Sequence, residues 1–216
     1  MPANSHESGI IRIANWLSPR AAGDSGFVLS RKQILVLFGV AVAARLGYVA
    51  IVALLGGDFN NGSDSGKFIK RALSLLEHGE ILYLDYGVLI PDTARMPGYS
   101  YFLAGIFDLF GEGRLWVVSV FQAFIDASTV LAIGFLAGGI NRRWALPAAI
   151  LASVWATLII YSSFVLSDTI FLAFFCWGLC ACVWATRSNR KILLLVAAGI
   201  AFSLALQTRT TLMFFP

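Results

Sequence analysis

Long apolar runs separated by short polar segments set the pattern of this chain. Positions 34–55, 115–140, 144–164, 169–186 and 192 onward each approach the roughly 20 apolar residues that a helix needs to cross a bilayer. None of these runs alternates with the period of two expected of a half-buried strand. An apolar helix satisfies its own backbone polar groups in lipid. The pattern therefore predicts an all-α polytopic transmembrane bundle of about five spans. Gly56-Gly57 ends the first span. Gly134 and Gly138 form a G-x-x-x-G pair in the second, which predicts a close helix contact there. Pro147 falls in the first turn of the third, where a missing N–H costs least.

The polar interruption at 56–114 has its own pattern. Phe68, Ile69, Ala72, Leu73 and Leu76 share one helical face, and Lys67, Lys70, Arg71, Ser74 and Glu77 share the other. Ser63 or Asp64 can cap this helix, and Gly79 ends it. A helix split in this way is expected to lie along the membrane surface, its basic face in solvent or against anionic headgroups. Residues 80–92 read as irregular. The apolar stretch 99–110 is too short to span and reads as a second interfacial or re-entrant helix. Two regions result: a polar N-terminal tail over 1–33, and a membrane domain over 34–216 carrying the loop 56–114. In the tail, Ile10, Ile11, Ile13, Trp16 and Leu17 allow a short interfacial helix or simply belong to a mobile segment. The first apolar run is too long for the h-region of a signal peptide. The chain stops at 211–216 inside apolar sequence, which points to a fragment or a truncated reading frame.

Composition agrees with the pattern. The chain is 58% hydrophobic and 13% charged, about half the charge of a soluble domain. The net charge of +4 is spread over short loops with no aromatic-basic stripe, which excludes a nucleic-acid partner. Cys176, Cys180 and Cys182 share one apolar run at no zinc or redox spacing and read as small packing residues. His6 and His78 are far apart, so no histidine metal cluster is available. With the N-terminus inside, the inner segments hold Arg12, Arg20, Arg31, Lys32, Arg142, Arg143, Arg187, Arg190 and Lys191. The outer segments hold Lys67, Lys70, Arg71, Arg95 and Arg114, offset by acids. This bias places the N-terminus in the cytoplasm and the loop 56–114 outside.

That threading gives the charged residues a common address. Asp64, Arg95, Asp168 and Arg209 are scattered in sequence but fall at one depth on the outer side. A carboxylate there can take a proton from an acceptor hydroxyl, and arginine forks can hold a departing phosphate. Each has a plainer reading. Asp64 can cap its helix, and Asp168 can cap the fourth span. Arg95 and Arg209 can anchor in headgroups. Lys67 can belong to a solvated face, and Tyr99 and Tyr101 to an interfacial aromatic belt. Two further ions, Arg45 and Asp126, fall near mid-span at similar depth, where a lone charge is costly. They are expected to pair structurally, with Gln122 completing the set.

Four segments resemble, in order and spacing, the GT-C membrane glycosyltransferases, most closely the protein-mannosyltransferase-like type. Residues 63–73, Ser-Asp-Ser-Gly-Lys-Phe-Ile-Lys-Arg-Ala-Leu, look like the family's first-loop motif of an Asp, an aromatic and a short amphipathic helix. Residues 95–103, beginning Arg-Met-Pro-Gly-Tyr, resemble its Arg-x-Pro-Gly/Leu-Tyr segment. Residues 161–171 resemble a Tyr-Ser…Ser-Glu-Thr segment, and the stretch from Gly199 through Arg209-Thr210-Thr211 resembles a Gly-Leu…Thr-Arg helix end. Asp168 stands where Glu is usual, Phe68 where Tyr is common, and Ala156-Thr157 where a Pro is frequent. Family chains are also longer.

The resemblance implies inverting transfer of a sugar from a polyprenyl-phosphate donor to a hydroxyl of a glycan, lipid or protein. Asp64 would be the general base, and Arg95 and Arg209 would stabilise the leaving phosphate. Asp168 would orient the acceptor or a divalent cation, and Tyr99 and Lys67 would contact substrate. It further implies a multi-pass protein of a bacterial inner membrane with its site on the outer face. A non-catalytic membrane subunit or lipid-carrier binding module built on the same fold is the competing class. A transporter, which would show inverted repeats and broken helices at mid-bilayer, fits the polar residues less well.

Overall fold

The computed structural model describes residues 28–60, 63–85, 88–93 and 95–209. The expectations for the N-terminal tail and for the apolar stretch 211–216 fall outside these residues. Helix α1 (Arg31–Leu54) opens on a capping box. The Ser30 hydroxyl accepts from the Gln33 N–H at 3.2 Å, and the Ser30 N–H donates to the Gln33 side chain at 2.8 Å. There follow α2 (Ser63–His78), a hairpin of β1 (Leu82–Asp85) and β2 (Val88–Pro91), and α3 (Gly98–Phe110). Next come α4 (Leu115–Ile140), a 3-10 turn at Arg142–Trp144, α5 (Ala145–Val154), α6 (Ala156–Ser163), α7 (Asp168–Ala185) and α8 (Lys191–Thr208). Helices α1, α4, α7 and α8 are each long and apolar enough to cross a membrane. The pair α5–α6 makes a fifth, bent span. This is the expected all-α polytopic bundle.

The central helix is α4, which packs against α1, α5 and α7, while α8 packs on α7. The G-x-x-x-G pair of α4 makes the close contact its spacing predicts. A Cβ on Gly134 would come 2.9 Å from the Ala149 Cβ, and one on Gly138 would overlap Val28. Two apolar cores result. One, toward the end that carries α2 and α3, joins Phe68, Ala72, Tyr99, Leu103, Phe107, Val118 and Ile170. The other, toward the basic end, joins Leu37, Ala41, Ala127, Val130, Ala145 and Ala149. Apolar residues on the outer faces of α1 and α8, among them Leu35, Val40, Leu195 and Ile200, remain exposed. In a spanning helix these are lipid-facing positions.

Three details depart from the sequence reading. Residues 80–92 are not irregular: Leu82 to Asp85 pair antiparallel with Val88 to Pro91. Two short apolar runs flanking a Gly-containing pair are a hairpin signal that the helical reading passed over. The apolar face of α2 does not rest on lipid. Phe68 and Ala72 are buried in the core shared with α3. The third span is broken: α5 and α6 meet at 50° at Trp155, whose backbone is extended (φ −69°, ψ 112°).

Arg45 serves a carbonyl next to the break. Its Nε donates to Asp126 Oδ2 at 2.6 Å, and its Nη1 donates to the Ser153 carbonyl at 3.1 Å and to the Ala41 carbonyl at 3.1 Å. Breaking the helix at Trp155 frees carbonyls of α5 from their usual partners, and a guanidinium takes one of them. The expected Arg45–Asp126 pair is present and fully buried. Gln122 does not complete it. Its amide donates to the Phe164 carbonyl at 2.8 Å and its oxygen accepts from the Tyr99 hydroxyl at 2.7 Å.

Candidate functional site

The end of the bundle that carries α2, α3 and the hairpin gathers the charged residues marked in the sequence. Asp64 lies in the first turn of α2, where the helix dipole favours a carboxylate. Asp64 Oδ1 accepts from Arg95 Nη2 at 2.8 Å, and Lys67 Nζ stands 4.0 Å from the same oxygen. All three side chains keep contact with solvent, Asp64 being about half exposed at 53%. The Arg95 guanidinium lies 5.2 Å from the centre of the Phe68 ring, a distance at which cation and ring attract.

A second pair stands at the same end of the bundle, where α3 packs on α8. Asp168 opens α7, and its carboxylate accepts from the Arg209 guanidinium, which follows the last turn of α8. The α7 helix takes Ser167 as its cap residue, so Asp168 is spent on Arg209 rather than on capping. Both partners are exposed at the surface.

Buried contacts lie behind both pairs. Tyr99 is fully buried at the start of α3, edge-on to Phe68 with ring centres 4.9 Å apart. Burial, reinforced by the Asp168 charge, pushes its phenol well above its ordinary pKa. It therefore stays protonated and donates to Gln122. Tyr99 does not face solvent as a substrate contact or belt residue would. It backs Phe68 on one side and feels Asp168 on the other. The neighbouring Tyr101 is the exposed one. Gln122 and Ser119 of α4 hold the Phe164 and Ser163 carbonyls at 2.8 and 2.5 Å, and the Val165 N–H donates to the Phe59 carbonyl at 3.1 Å. These bonds fix the segment that leads into Asp168.

Gly98 fixes α3 against α8. A Cβ there would stand 2.7 Å from the Gln207 carbonyl oxygen, so only glycine admits this approach. Below the Asp168–Arg209 pair an apolar groove of about 500 Å³ opens between α3, α4, α7 and α8, lined in part by Gly98, Phe102, Ile125, Ile170, Trp177 and Thr208. Gly98, Ile170 and Thr208 sit within a few residues of Tyr99, Asp168 and Arg209, so the groove reaches the charged rim.

One charged residue was misplaced by the sequence reading. Arg71 does not lie on a solvated face: only 3% of it is exposed. Its Nη2 donates to the Asp92 carbonyl at 3.1 Å and to the Arg95 carbonyl at 2.7 Å. Its Nε lies 3.2 Å from Asp92 Oδ2, an ion pair whose angle falls short of a hydrogen bond. Burial lowers the pKa of Arg71, Asp92 opposes the shift, and the charge of Arg95 adds to it. The sequence signal was its register: 64, 68 and 71 follow the 4-then-3 spacing of one helical stripe, which also carries Phe68 into the core.

Among the described residues no group of three or more His, Cys, Asp or Glu side chains gathers as a metal site. Asp64 and Asp168 each give one carboxylate oxygen to an arginine.

A family model described as dolichyl-phosphate-mannose-protein mannosyltransferase matches residues 92–216, which include Arg95, Tyr99, Asp168 and Arg209 and leave Asp64 and Lys67 outside. No curated protein and no solved structure matches the chain. With more than half of its length covered, and with apolar spans bearing a charged rim, the chain belongs to the dolichyl-phosphate-mannose-protein mannosyltransferase family, membrane glycosyltransferases of the GT-C type.

Proposed function

We propose that this chain transfers a sugar from a polyprenyl-phosphate donor to an acceptor hydroxyl on the outer face of the membrane, with inversion at the anomeric carbon. Asp64 is the general base. As the acceptor oxygen attacks the anomeric carbon, its proton passes to the Asp64 carboxylate. The bond from that carbon to the phosphate oxygen breaks, and the electron pair leaves with the lipid phosphate. Arg209 and Arg95 stabilise the charge that grows there. Each guanidinium spends one nitrogen on its aspartate, which leaves further N–H donors of the fork for phosphate oxygens. Asp168 holds Arg209 in place, and Lys67 adds positive potential beside Asp64. The basic residues at the opposite end of the bundle favour the cytoplasm, which supports the outer-face orientation.

One observation carries this reading: two Asp–Arg pairs stand at the same end of the bundle, and an apolar groove there is lined by Ile170 and Thr208, next to Asp168 and Arg209 in the chain. A lipid-linked phosphate needs that combination, an apolar slot for the tail and paired cations for the headgroup. The test uses the purified chain in lipid nanodiscs, with a polyprenyl-phosphate mannose as donor. Transfer is followed as release of the polyprenyl phosphate. Asp64→Asn should reduce turnover on the order of 10²- to 10⁴-fold, with donor binding and thermal stability kept. Undiminished turnover would remove Asp64 as the base. Donor binding with no turnover in the unsubstituted chain would favour the lipid-carrier binding module instead.

A further inference from the structure

Arg71 has no part in the chemistry above, yet it is a buried cation outside the spans, and burying a charge needs a return. Its bonds show where that return lies. Nη2 grips the carbonyls of Asp92 and Arg95, three positions apart in the chain. Arg95 is also the residue whose side chain turns back to Asp64. Positions 64, 68 and 71 of α2 form one stripe, and seven residues span roughly 10 Å of helix at 1.5 Å each. Each member of the stripe meets Arg95. Asp64 takes its guanidinium at 2.8 Å, the Phe68 ring lies beside the same group, and Arg71 takes its carbonyl at 2.7 Å. Residue 95 is thus held at both ends by a single helix.

We propose that Arg71 is a positioning residue for the transfer reaction: by holding the carbonyl of Arg95 it sets the Arg95 guanidinium against Asp64. This rests on the reading of Asp64 and Arg95 as working groups. Lysine at 71 keeps the charge but not the fork, in which Nη2 meets both carbonyls while Nε is held rigidly toward the Asp92 carboxylate. Displacing a reacting group by about 1 Å can cost on the order of 10²-fold in rate, so an effect of roughly 10- to 100-fold is expected from loss of the grip.

The experiment compares Arg71→Met, Arg71→Lys, Arg95→Met, the Arg71→Met/Arg95→Met double variant and Asp64→Asn. All are made in the full chain and assayed for kcat, KM and unfolding temperature with the same polyprenyl-phosphate mannose. If Arg71 acts through Arg95, the double variant is no slower than Arg95→Met alone. Arg71→Lys then recovers the unfolding temperature while kcat stays low. Additive losses in the double variant, or a kcat that returns together with stability in Arg71→Lys, would make Arg71 merely structural and overturn the proposal. Should Arg71→Met fail to fold, Arg71→Lys and Arg71→Lys/Arg95→Met provide the same comparison. If Asp64→Asn and Arg95→Met turn over normally, the catalytic reading itself fails and the proposal falls with it. A failure confined to the Arg71 variants leaves that reading standing.

Discussion

Arginine meets aspartate in the bundle interior and again at its rim, and the two settings teach different things. Arg45 and Asp126 are sealed from solvent, and Arg45 also holds a carbonyl freed by the break in the third span. The Asp64–Arg95 and Asp168–Arg209 pairs are a third to a half exposed and hold one another with donors to spare. In the interior neither ion can find a substitute partner, so the pair is a structural commitment. At the rim each charge remains hydrated, so exchanging one partner for a phosphate is cheap. Burial, more than the identity of the residues, separates a scaffold pair from a working pair.

Substitutions can break this comparison. The largest loss of stability is expected from Asp126→Ala or Arg45→Ala, each stranding a buried charge at a cost of about 3–5 kcal/mol. The double variant should regain part of that loss, and only part, because the Ser153 carbonyl still lacks its donor. Folded yield and unfolding temperature in detergent measure it. Single variants as stable as the parent would show that the interior pair is not structural. Next comes Gly98→Ala, which forces a methyl against the Gln207 carbonyl and should cost about 1–3 kcal/mol.

Tyr99→Phe should cost somewhat less, about 1–2 kcal/mol at neutral pH, because Gln122 loses a buried donor. This difference should shrink in alkali. The phenol's pKa is raised by folding, so its contribution is full below its unfolded value of about 10 and is lost as pH rises beyond it. A gap between parent and variant that widens above that pH would contradict the assigned burial. The smallest stability effect, within about 1 kcal/mol, is expected of Asp168→Ala and Arg209→Met, whose pair is exposed. These two should instead lower transfer, measured as polyprenyl phosphate release. Equal losses of stability at rim and interior would erase the distinction.

Much of this was legible in the chain. The span at 115–140 is bounded by Gly113-Arg114 and Asn141-Arg142, sharp transitions that lipid does not tolerate, and α4 has those ends. The Arg45–Asp126 pair followed from depth alone, because an unmatched ion at mid-span has few alternatives. Periodicity identified α2 but not what its apolar face meets, since a helical stripe fits lipid and protein equally well. The burial of Arg71 escaped it for the same reason: Arg71 borders the apolar stripe, and only the fold brings the Asp92 and Arg95 carbonyls onto it. The break at Trp155 carries no proline or glycine, and the side chain that takes up the Ser153 carbonyl beside it lies 108 residues upstream in another helix. Placing Asp64, Arg95, Asp168 and Arg209 at one end of the bundle needed only the order of threading. The burial of Tyr99 behind Phe68 and its bond to Gln122 needed coordinates.

The kinked third span also constrains how the protein is made. Hydrocarbon offers no donor for the Ser153 oxygen beside the bend, and the donor that meets it rides on α1, which is synthesised earlier. Biogenesis can therefore proceed in synthesis order, with α1 and α4 already docked when the bent pair leaves the translocon. Deleting α1 should then leave the remaining helices to insert with a straightened third span, or to be degraded.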